Sequence, residues 1–300
     1  MLDPKNITDY LRETEALVPN LRPGCEKRVI WAGAEGQKTR YVLLYVHGFS
    51  ATGEELRPLP DLVAGHLGAN IFFTRLDGHG QDGPAMARAT FADWQQDMAE
   101  AFDIAAALGD EVVIMGCSTG CTLATLSLAQ GRQAAAVVHV SPNYGLTNRA
   151  AQMLLDMPYS RVWGKYLVGR ERNFDPINAA HAKFWTTRYP TEAVSTMADA
   201  VRAVRGADLS TIRVPAFFAF NDADTVVNPV EIRKVIGRWG GDAEALMITP
   251  QKGDDPNGHV MAGDIFSPGQ TAPLVQQISA WSDRILRDAG TCTAPARQAN

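Results

Sequence analysis

The sequence predicts an α/β fold, in which a mostly parallel sheet is flanked by helices and carries an inserted helical cap. Short apolar runs alternate with helical patterns in residues 26–141 and again in residues 207–288, as in sheets whose two faces are both covered by helices. Between these stretches, residues 142–206 contain helical patterns but no convincing strand. A length of 300 residues with ordinary apolar content suits one such domain with an insertion.

The first part of the core, residues 1–141, shows its elements through apolar periodicity and turn residues. Apolar side chains at helical spacing predict its longest helix, and a continuous apolar run after an acidic turn predicts the buried strand that begins near residue 110. In chain order we expect a helix over 6–18, strands over 26–31 and 41–46, a helix over 54–67, a strand over 70–75, a helix over 91–108, a strand over 110–115, a helix over 121–129 and a strand over 134–140.

The alternation stops after residue 141 and resumes near residue 207. Helical patterns in the intervening cap, residues 142–206, cover 148–157, 159–168, 179–185 and 191–204. The second part of the core, residues 207–300, follows with a strand over 214–220, a helix over 229–239, a strand over 243–249 and a helix over 271–287. The residues from about 290 are polar and small, and we expect them to be disordered.

The pattern Gly-x-Ser-x-Gly occupies residues 116–120, where an apolar strand meets the next helix. A nucleophile elbow requires this context, because its tight turn exposes the hydroxyl of Ser118 at the end of the sheet. Gly116 and Gly120 permit the turn, since a Cβ at either position would clash with the neighbouring backbone. The pattern also arises by chance, so its interpretation depends on partners elsewhere in the chain.

A serine nucleophile needs a base, and the base needs a carboxylate that orients it and stabilises its charged form. In this architecture the order is serine, acid, histidine, each in a loop after a strand. The strand over 214–220 leads to Asp222 and Asp224, and the strand over 243–249 is followed by a loop that contains His259. Loops at the carboxyl ends of parallel strands meet at one edge, where we expect these groups to reach Ser118 beneath the cap.

Several short motifs together resemble those of the α/β-hydrolase superfamily. They are HGF at 47–49, GHG at 78–80, the elbow, DTVV at 224–227 and GH at 258–259. Within the superfamily the chain is similar to small bacterial carboxylesterases and monoacylglycerol-lipase-like serine hydrolases. The resemblance covers about residues 26–141 and 207–288, and it implies the α/β-hydrolase fold; the cap is matched only in position.

By this resemblance the catalytic acid is Asp224, in its D-x-V-V context, with Asp222 as the competing choice. The elbow geometry supplies one oxyanion donor, the backbone N–H of Thr119, and the resemblance selects the N–H of Phe49 as the other. Cys117 and Thr119 stand where relatives commonly carry bulkier apolar residues. That departure leaves the reaction intact but weakens inference about the acyl pocket.

The cap offers apolar side chains for a pocket over the nucleophile, although most of them are expected to pack its helices together. The candidates are Tyr144, Met153, Met157, Trp163 and Trp185. Arginines also make the cap more basic than the rest of the chain, either as a solvated face or as a site for an anionic group of the substrate. They are Arg149, Arg161, Arg170, Arg172 and Arg188.

Other titratable residues receive structural interpretations. His47 and His79 lie in glycine-rich loops, where we expect them to bond backbone groups. His139 ends a predicted strand and is expected to be ordinary, whereas His181 in the cap is a candidate substrate contact. Asp255 precedes His259 in a loop and is expected to be solvated.

Composition argues against several other classes of protein. The net charge is −5 and no Lys/Arg run is present, so nucleic acid is not an expected partner. The first residues lack a signal-peptide pattern and no apolar run reaches a membrane span, so we expect a cytoplasmic protein without stable membrane insertion. The four cysteines show no metal-ligand spacing, which favours free thiols and no metal site.

These observations predict a serine hydrolase that cleaves carboxylic esters through Ser118, His259 and Asp224 and an acyl-enzyme, without a metal or organic cofactor. Its partner would be a small-molecule ester, and the oligomeric state is not predicted. One alternative is another activity of the same machinery, such as an amidase, an aminopeptidase or a C–C hydrolase. A less favoured alternative is a ligand-binding member of the fold without catalysis.

Overall fold

The computed structural model of the chain describes residues 3–157, 166 and 169–288. The strands of this part are β1 (Arg28–Ile30), β2 (Thr39–Val46), β3 (Asn70–Phe73), β4 (Gly109–Cys117), β5 (Ala136–Val140), β6 (Glu171–Asn173), β7 (Arg188–Pro190), β8 (Ala216–Phe220) and β9 (Ala243–Met247). The helices are α1 (Pro4–Ala16), α2 (Leu59–Leu67), α3 (Gly83–Arg88), α4 (Phe91–Leu108), α5 (Thr119–Ala129), α6 (Arg149–Asp156), α7 (Ala179–Phe184), α8 (Ala193–Gly206), α9 (Pro229–Arg238) and α10 (Pro268–Asp288). Strands and helices alternate on both sides of residues 142–206.

The main sheet joins seven strands of the described residues in the order β1-β3-β2-β4-β5-β8-β9. β1 runs antiparallel to β3, and the other neighbours are parallel. This mostly parallel sheet flanked by helices confirms the predicted fold class. Because the parallel strands end at one edge, the loops after β4, β8 and β9 come together there.

Both faces of the sheet are buried, and β2 shows how the side chains divide between them. Val42, Leu44 and Val46 belong to one hydrophobic cluster, whereas Leu43 and Tyr45 belong to a second. Alternate residues of a strand point to opposite faces, so the two clusters lie on opposite sides of the sheet. Helices α4, α5 and α8 cover the first face, and α2 and α10 cover the second.

The best-predicted helix is α4, whose bounds equal the predicted 91–108. Its start is defined by Thr90 and Asp93, which form a capping box with each other's backbone N–H groups. The six-residue helix α3 was not predicted, because it is too short for an apolar period; Asp82 caps it through the N–H of Ala85. No helix in the described part of the chain is both long and apolar enough to cross a membrane.

Residues 142–206 form an insertion between β5 and β8, and its described residues include α6, α7 and α8. They also include β6 and β7, which pair antiparallel with Arg172 opposite Tyr189. The expectation that this stretch contains no strand is therefore wrong. Each strand is three residues long and β6 is fully exposed, so neither shows the apolar alternation that marks a strand in a sequence. The predicted helix over 159–168 and the predicted tail from about 290 lie outside the described residues, apart from Tyr166.

Candidate active site

Ser118 lies at the junction of β4 and α5 in a backbone conformation that residues with a Cβ rarely adopt. Its φ is 49° and its ψ is −112°. Tight packing around the turn explains the two glycines: a Cβ on Gly116 would lie 2.8 Å from the amide nitrogen of Cys121, and one on Gly120 would overlap the carbonyl oxygen of Val46. The strained serine and its flanking glycines have the geometry that a nucleophile elbow requires.

Backbone hydrogen bonds join this strained turn to the end of the neighbouring strand β5 and the residues that follow it. The N–H of Ser118 donates to the carbonyl of Val140 at 3.0 Å, at the end of β5. The Ser118 carbonyl accepts from the N–H of Asn143 at 3.1 Å. Since strain of this kind persists only when the surroundings impose it, these two bonds help to keep the hydroxyl in place.

The side chain of His259, in the loop after β9, reaches two of the other predicted residues. Its Nε2 lies 3.0 Å from Oγ of Ser118, and its Nδ1 lies 2.7 Å from Oδ2 of Asp224. Asp222, the competing acid, lies apart: its side chain is 57% exposed and pairs with Arg233 at 2.6 Å. The structure thus brings Ser118, His259 and Asp224 into one hydrogen-bonded chain.

Asp224 is oriented by its own backbone turn. One carboxylate oxygen, Oδ1, accepts from the N–H groups of Val226 at 2.7 Å and Val227 at 2.9 Å, and the other faces the imidazole. Because Nδ1–H of His259 donates to Asp224, Nε2 of the neutral ring is free to accept the proton of Ser118. Burial lowers the pKa of His259, but the neighbouring carboxyl groups, with Asp224 foremost, together outweigh it, so the pKa is raised above its usual value.

Asp255 organises the loop that carries His259, a role that the sequence interpretation missed. Its carboxylate accepts from the N–H groups of Asn257 at 3.0 Å, His259 at 3.1 Å and Val260 at 2.8 Å. The residue is only 4% exposed, so the expectation that it is solvated is wrong. An aspartate followed within a few residues by Asn-Gly is a signal for such side chain–backbone turns, and that signal was available in the sequence.

The predicted oxyanion donors lie in the loop after β2 and at the start of α5. Neither the N–H of Phe49 nor that of Thr119 has a hydrogen-bond acceptor among the described residues. His47 steadies the first of these segments: its Nδ1–H donates to the Gly48 carbonyl at 2.9 Å, and its Nε2 accepts from the N–H of Leu76 at 3.1 Å. Burial lowers the pKa of His47 to about 4, so the neutral ring keeps both bonds.

The insertion packs directly on this loop. The ring of Phe49 meets that of Tyr189, on β7, edge to face with centroids 5.4 Å apart. Beside it, the carbonyl of Ser50 accepts from the N–H of Thr186 at 2.8 Å. Two adjacent residues of the loop, Phe49 and Ser50, are therefore held by residues 186–189, which lead from α7 into β7.

A family model described as the alpha/beta hydrolase family matches residues 43–290, which is more than half of the chain. The chain belongs to this family. The resemblance expected from its motifs is thereby confirmed, and the matched residues include all of those described above as part of the α/β-hydrolase site.

Individual proteins similar to this α/β-hydrolase include proteins named as lipolytic enzymes. It is 36% identical over 88 residues to a thermostable monoacylglycerol lipase of Bacillus sp. (strain H-257), a match that spans 29% of the chain and 34% of that relative. The structure resembles those from work on LipS and LipT, two metagenome-derived lipolytic enzymes, with a TM-score of 0.70 and 19% identity over 88% of the chain and 99% of the other. It also resembles a Paleococcus ferrophilus monoacylglycerol lipase, with a TM-score of 0.62 and 15% identity over 85% of the chain and 98% of the other. At these identities the structural likeness shows the fold alone.

The predicted pocket residues of this α/β-hydrolase are spread over the insertion and core. Tyr144 is 1% exposed in the first core cluster, and Trp185 is buried in the second, on the opposite face of the sheet. Met153 and Met157 are 64% and 47% exposed, and Trp163 lies outside the described residues. The structure does not bring the four described side chains together, and which residues contact an acyl group stays a prediction.

Hydrogen bonds and ring contacts explain where two of these candidates lie. The hydroxyl of Tyr144 lies 2.7 Å from Oγ1 of Thr125, on α5. The indole of Trp185 packs against Phe266 with ring centroids 5.3 Å apart, and His181 lies against the same two rings. No group of three or more His, Cys, Asp or Glu side chains suited to a metal ion occurs among residues 3–157 and 169–288.

Proposed function

We propose that this α/β-hydrolase is a serine hydrolase that cleaves carboxylic esters. The observation that carries the proposal is the hydrogen-bonded chain from Ser118 Oγ to His259 Nε2, at 3.0 Å, and from His259 Nδ1 to Asp224, at 2.7 Å. A hydroxyl, an imidazole and a buried carboxylate in this order are what a serine needs to act as a nucleophile at neutral pH.

The first half of the proposed reaction forms an acyl-enzyme. Ser118 Oγ attacks the ester carbonyl carbon while His259 Nε2 accepts the hydroxyl proton, and Asp224 stabilises the resulting imidazolium. The carbonyl oxygen becomes an oxyanion, which the N–H groups of Phe49 and Thr119 bind. The tetrahedral intermediate collapses by breaking the bond to the alcohol oxygen, and His259 gives its proton to the departing alcohol.

The second half restores the enzyme. A water molecule gives a proton to His259 Nε2 and attacks the acyl carbon, and the same two N–H groups bind the new oxyanion. Collapse breaks the bond to Ser118 Oγ, which recovers its proton from His259, and the carboxylic acid leaves. These steps conserve every proton and need neither a metal nor an organic cofactor.

Similarity to proteins named as monoacylglycerol lipases favours an ester of an acyl chain with a small alcohol as substrate. The rings of Phe49 and Tyr189 pack against each other, so the surroundings of the proposed oxyanion loop are apolar. Amides, peptides and carbon–carbon bonds are cleaved by the same triad in other proteins, so a substrate panel must include them.

Turnover of p-nitrophenyl acetate and butyrate by wild-type protein and by Ser118→Ala tests the proposal. We expect the variant to lose about four to six orders of magnitude in kcat, as when a serine nucleophile is removed elsewhere. A fluorophosphonate probe should label the wild type and not the variant. Ser127→Ala, on the same helix but bonded to Leu123, is the matched control and should retain activity and labelling. Equal turnover by wild type and Ser118→Ala would refute the proposal.

A further inference from the structure

Glu55 is a buried carboxyl group that the proposed reaction does not use. It lies in the turn between the HGF loop and α2, and it is only 3% exposed. No Lys or Arg of the described residues forms an ion pair with it. A carboxyl group buried without a cation costs free energy, so its hydrogen bonds need an explanation.

Three segments of the site surround this carboxyl group. Its Oε2 accepts from the backbone N–H of Gly48 at 2.7 Å and from the hydroxyl of Tyr45 at 3.2 Å. It also interacts with the thiol of Cys117, the residue before the nucleophile. Glu55 therefore links the end of β2 with the end of β4, the two strands from which the oxyanion loop and the elbow emerge.

The fit around Gly48 shows how closely the group approaches the nucleophile. A Cβ on Gly48 would lie 2.6 Å from Oε1 of Glu55 and 3.2 Å from Cβ of Ser118. The carboxyl group and the nucleophile thus lie on the same side of the Gly48 Cα. Any side chain at position 48 would displace one or the other.

We propose that Glu55 is a positioning residue for the oxyanion hole: by holding the Gly48 amide, it directs the next backbone N–H, that of Phe49, toward a carbonyl bound at Ser118. This inference rests on the proposed serine hydrolase function. Two peptide groups meet at the Cα of Gly48. Glu55 accepts a hydrogen bond from the N–H of the first, which joins His47 to Gly48. His47 donates a hydrogen bond to the carbonyl of the second, which joins Gly48 to Phe49. The Phe49 N–H points opposite to that carbonyl in a trans peptide, so its direction follows.

As a hydrogen-bond acceptor, Glu55 positions the Gly48 N–H, and this role does not require a negative charge. An ionised carboxylate so near the site would oppose a developing oxyanion, because like charges repel strongly where water is excluded. Burial raises the pKa of Glu55, which favours the uncharged acid, although its hydrogen bonds, that from the Gly48 N–H above all, and the nearby His259 act in the opposite direction. An uncharged acceptor at the correct distance therefore suffices, which glutamine supplies and the shorter aspartate does not.

A comparison of Glu55→Gln with Glu55→Asp separates distance from charge. We expect Glu55→Asp to lower kcat by about 10- to 100-fold with little change in KM, somewhat less than the about 10²–10³ seen when an oxyanion donor is lost outright. Glu55→Gln should rescue kcat to within about threefold of wild type, since it keeps the acceptor. The Ki of a trifluoromethyl ketone that mimics the tetrahedral intermediate should rise for Glu55→Asp by the same factor by which kcat/KM falls.

The amount of Ser118 that reacts with a fluorophosphonate gives the concentration of competent sites, so partial misfolding does not distort kcat. Glu54→Asp is the matched control and should behave as wild type, because Glu54 pairs with Arg28 and Arg57 instead. The inference is overturned if both Glu55 variants keep wild-type kcat, if both lose it equally, or if glutamine is the worse of the two. An inactive wild type would instead refute the proposed function.

Discussion

Asp224 and His259 stand 35 residues apart in the chain, yet the imidazole Nδ1 lies 2.7 Å from the carboxylate. The contact arises because their loops follow β8 and β9, two neighbouring parallel strands. Such strands deliver the residues that follow them to one edge of the sheet. The D-x-V-V context favours Asp224 over Asp222, and in the structure it is Asp224 whose carboxylate lies against the imidazole, whereas Asp222 pairs with Arg233.

Replacing the oriented carboxylate should therefore impair the reaction far more than replacing its neighbour. We expect Asp224→Asn to lower kcat by about 10⁴-fold, because the amide favours the wrong tautomer of His259. Asp222→Asn is the control; it removes only a surface pair with Arg233 and should keep kcat within about twofold. Steady-state hydrolysis of a p-nitrophenyl ester measures both. A larger loss for Asp222→Asn would reverse the assignment.

The pH dependence of kcat/KM should report the imidazole of His259. The reaction needs the neutral ring, and the raised pKa of His259 keeps the ring charged to a higher pH than usual. Activity should therefore fall on the acidic side with a midpoint above about 6.5, the ordinary histidine value. Removing the negative charge in Asp224→Asn should move the residual profile to lower pH. An acidic midpoint well below that of a free histidine would contradict this.

Substitution of Thr119 by proline removes the backbone N–H that is proposed to bind the oxyanion. Thr119 is the first residue of α5, so its N–H has no helical partner, but a proline there also restricts the backbone of Ser118 before it. We expect Thr119→Pro to lower kcat by at least about 10²–10³-fold, the loss typical of one oxyanion donor. Thr119→Ala keeps the N–H, and a comparable fall in that variant would show that the side chain matters instead. Circular dichroism and active-site titration should accompany the kinetics.

Buried neutral histidines should make the protein labile in acid. Burial lowers the pKa of His139 to about 3, and neither ring nitrogen has a partner among the described residues. The unfolded chain binds a proton near pH 6.5 and the folded site does not. Above about pH 6.5 the buried neutral histidine does not reduce the free energy of unfolding. As the pH falls from about 6.5 toward 3, each such histidine lowers that free energy by about 1 kcal/mol per pH unit.

His139→Phe provides the test, since the ring of His139 already stacks on Phe218 at 4.6 Å. Urea unfolding at a series of pH values should show a shallower loss of stability between pH 6 and pH 4 for the variant. His66→Phe is the control, because His66 is partly exposed beside Asp283. An unchanged slope in His139→Phe would mean that the buried ring does not resist protonation.

Much of the core could be predicted because its signals are local. The helix over 91–108 carries its own cap and apolar period, and the strand that ends at Cys117 is a continuous apolar run. The elbow at 116–120 is equally local, since the glycines on either side of Ser118 meet a requirement of the turn itself. Such features can be predicted wherever the residues of a short segment determine the backbone conformation of that segment.

Features that depend on remote contacts could not be read in this way. The three-residue strands β6 and β7 exist only as partners of each other across the insertion. Tyr144 and Trp185 looked alike as apolar candidates, yet the fold buries them on opposite faces of the sheet. Their positions depend on chain topology, which leaves no periodic trace in either segment.

The order of the serine, the aspartates and the histidine, and the strand that precedes each, were decided by the sequence itself, because a residue's place after a strand is a local property. The contacts of His259 with Asp224 and Ser118, and the approach of Glu55 to Cys117 at the end of β4, were decided by the tertiary structure. Each of these joins segments that lie far apart in the chain, with 35 residues between His259 and Asp224 and 141 between His259 and Ser118. Only the arrangement of the strands in the sheet brings these segments together.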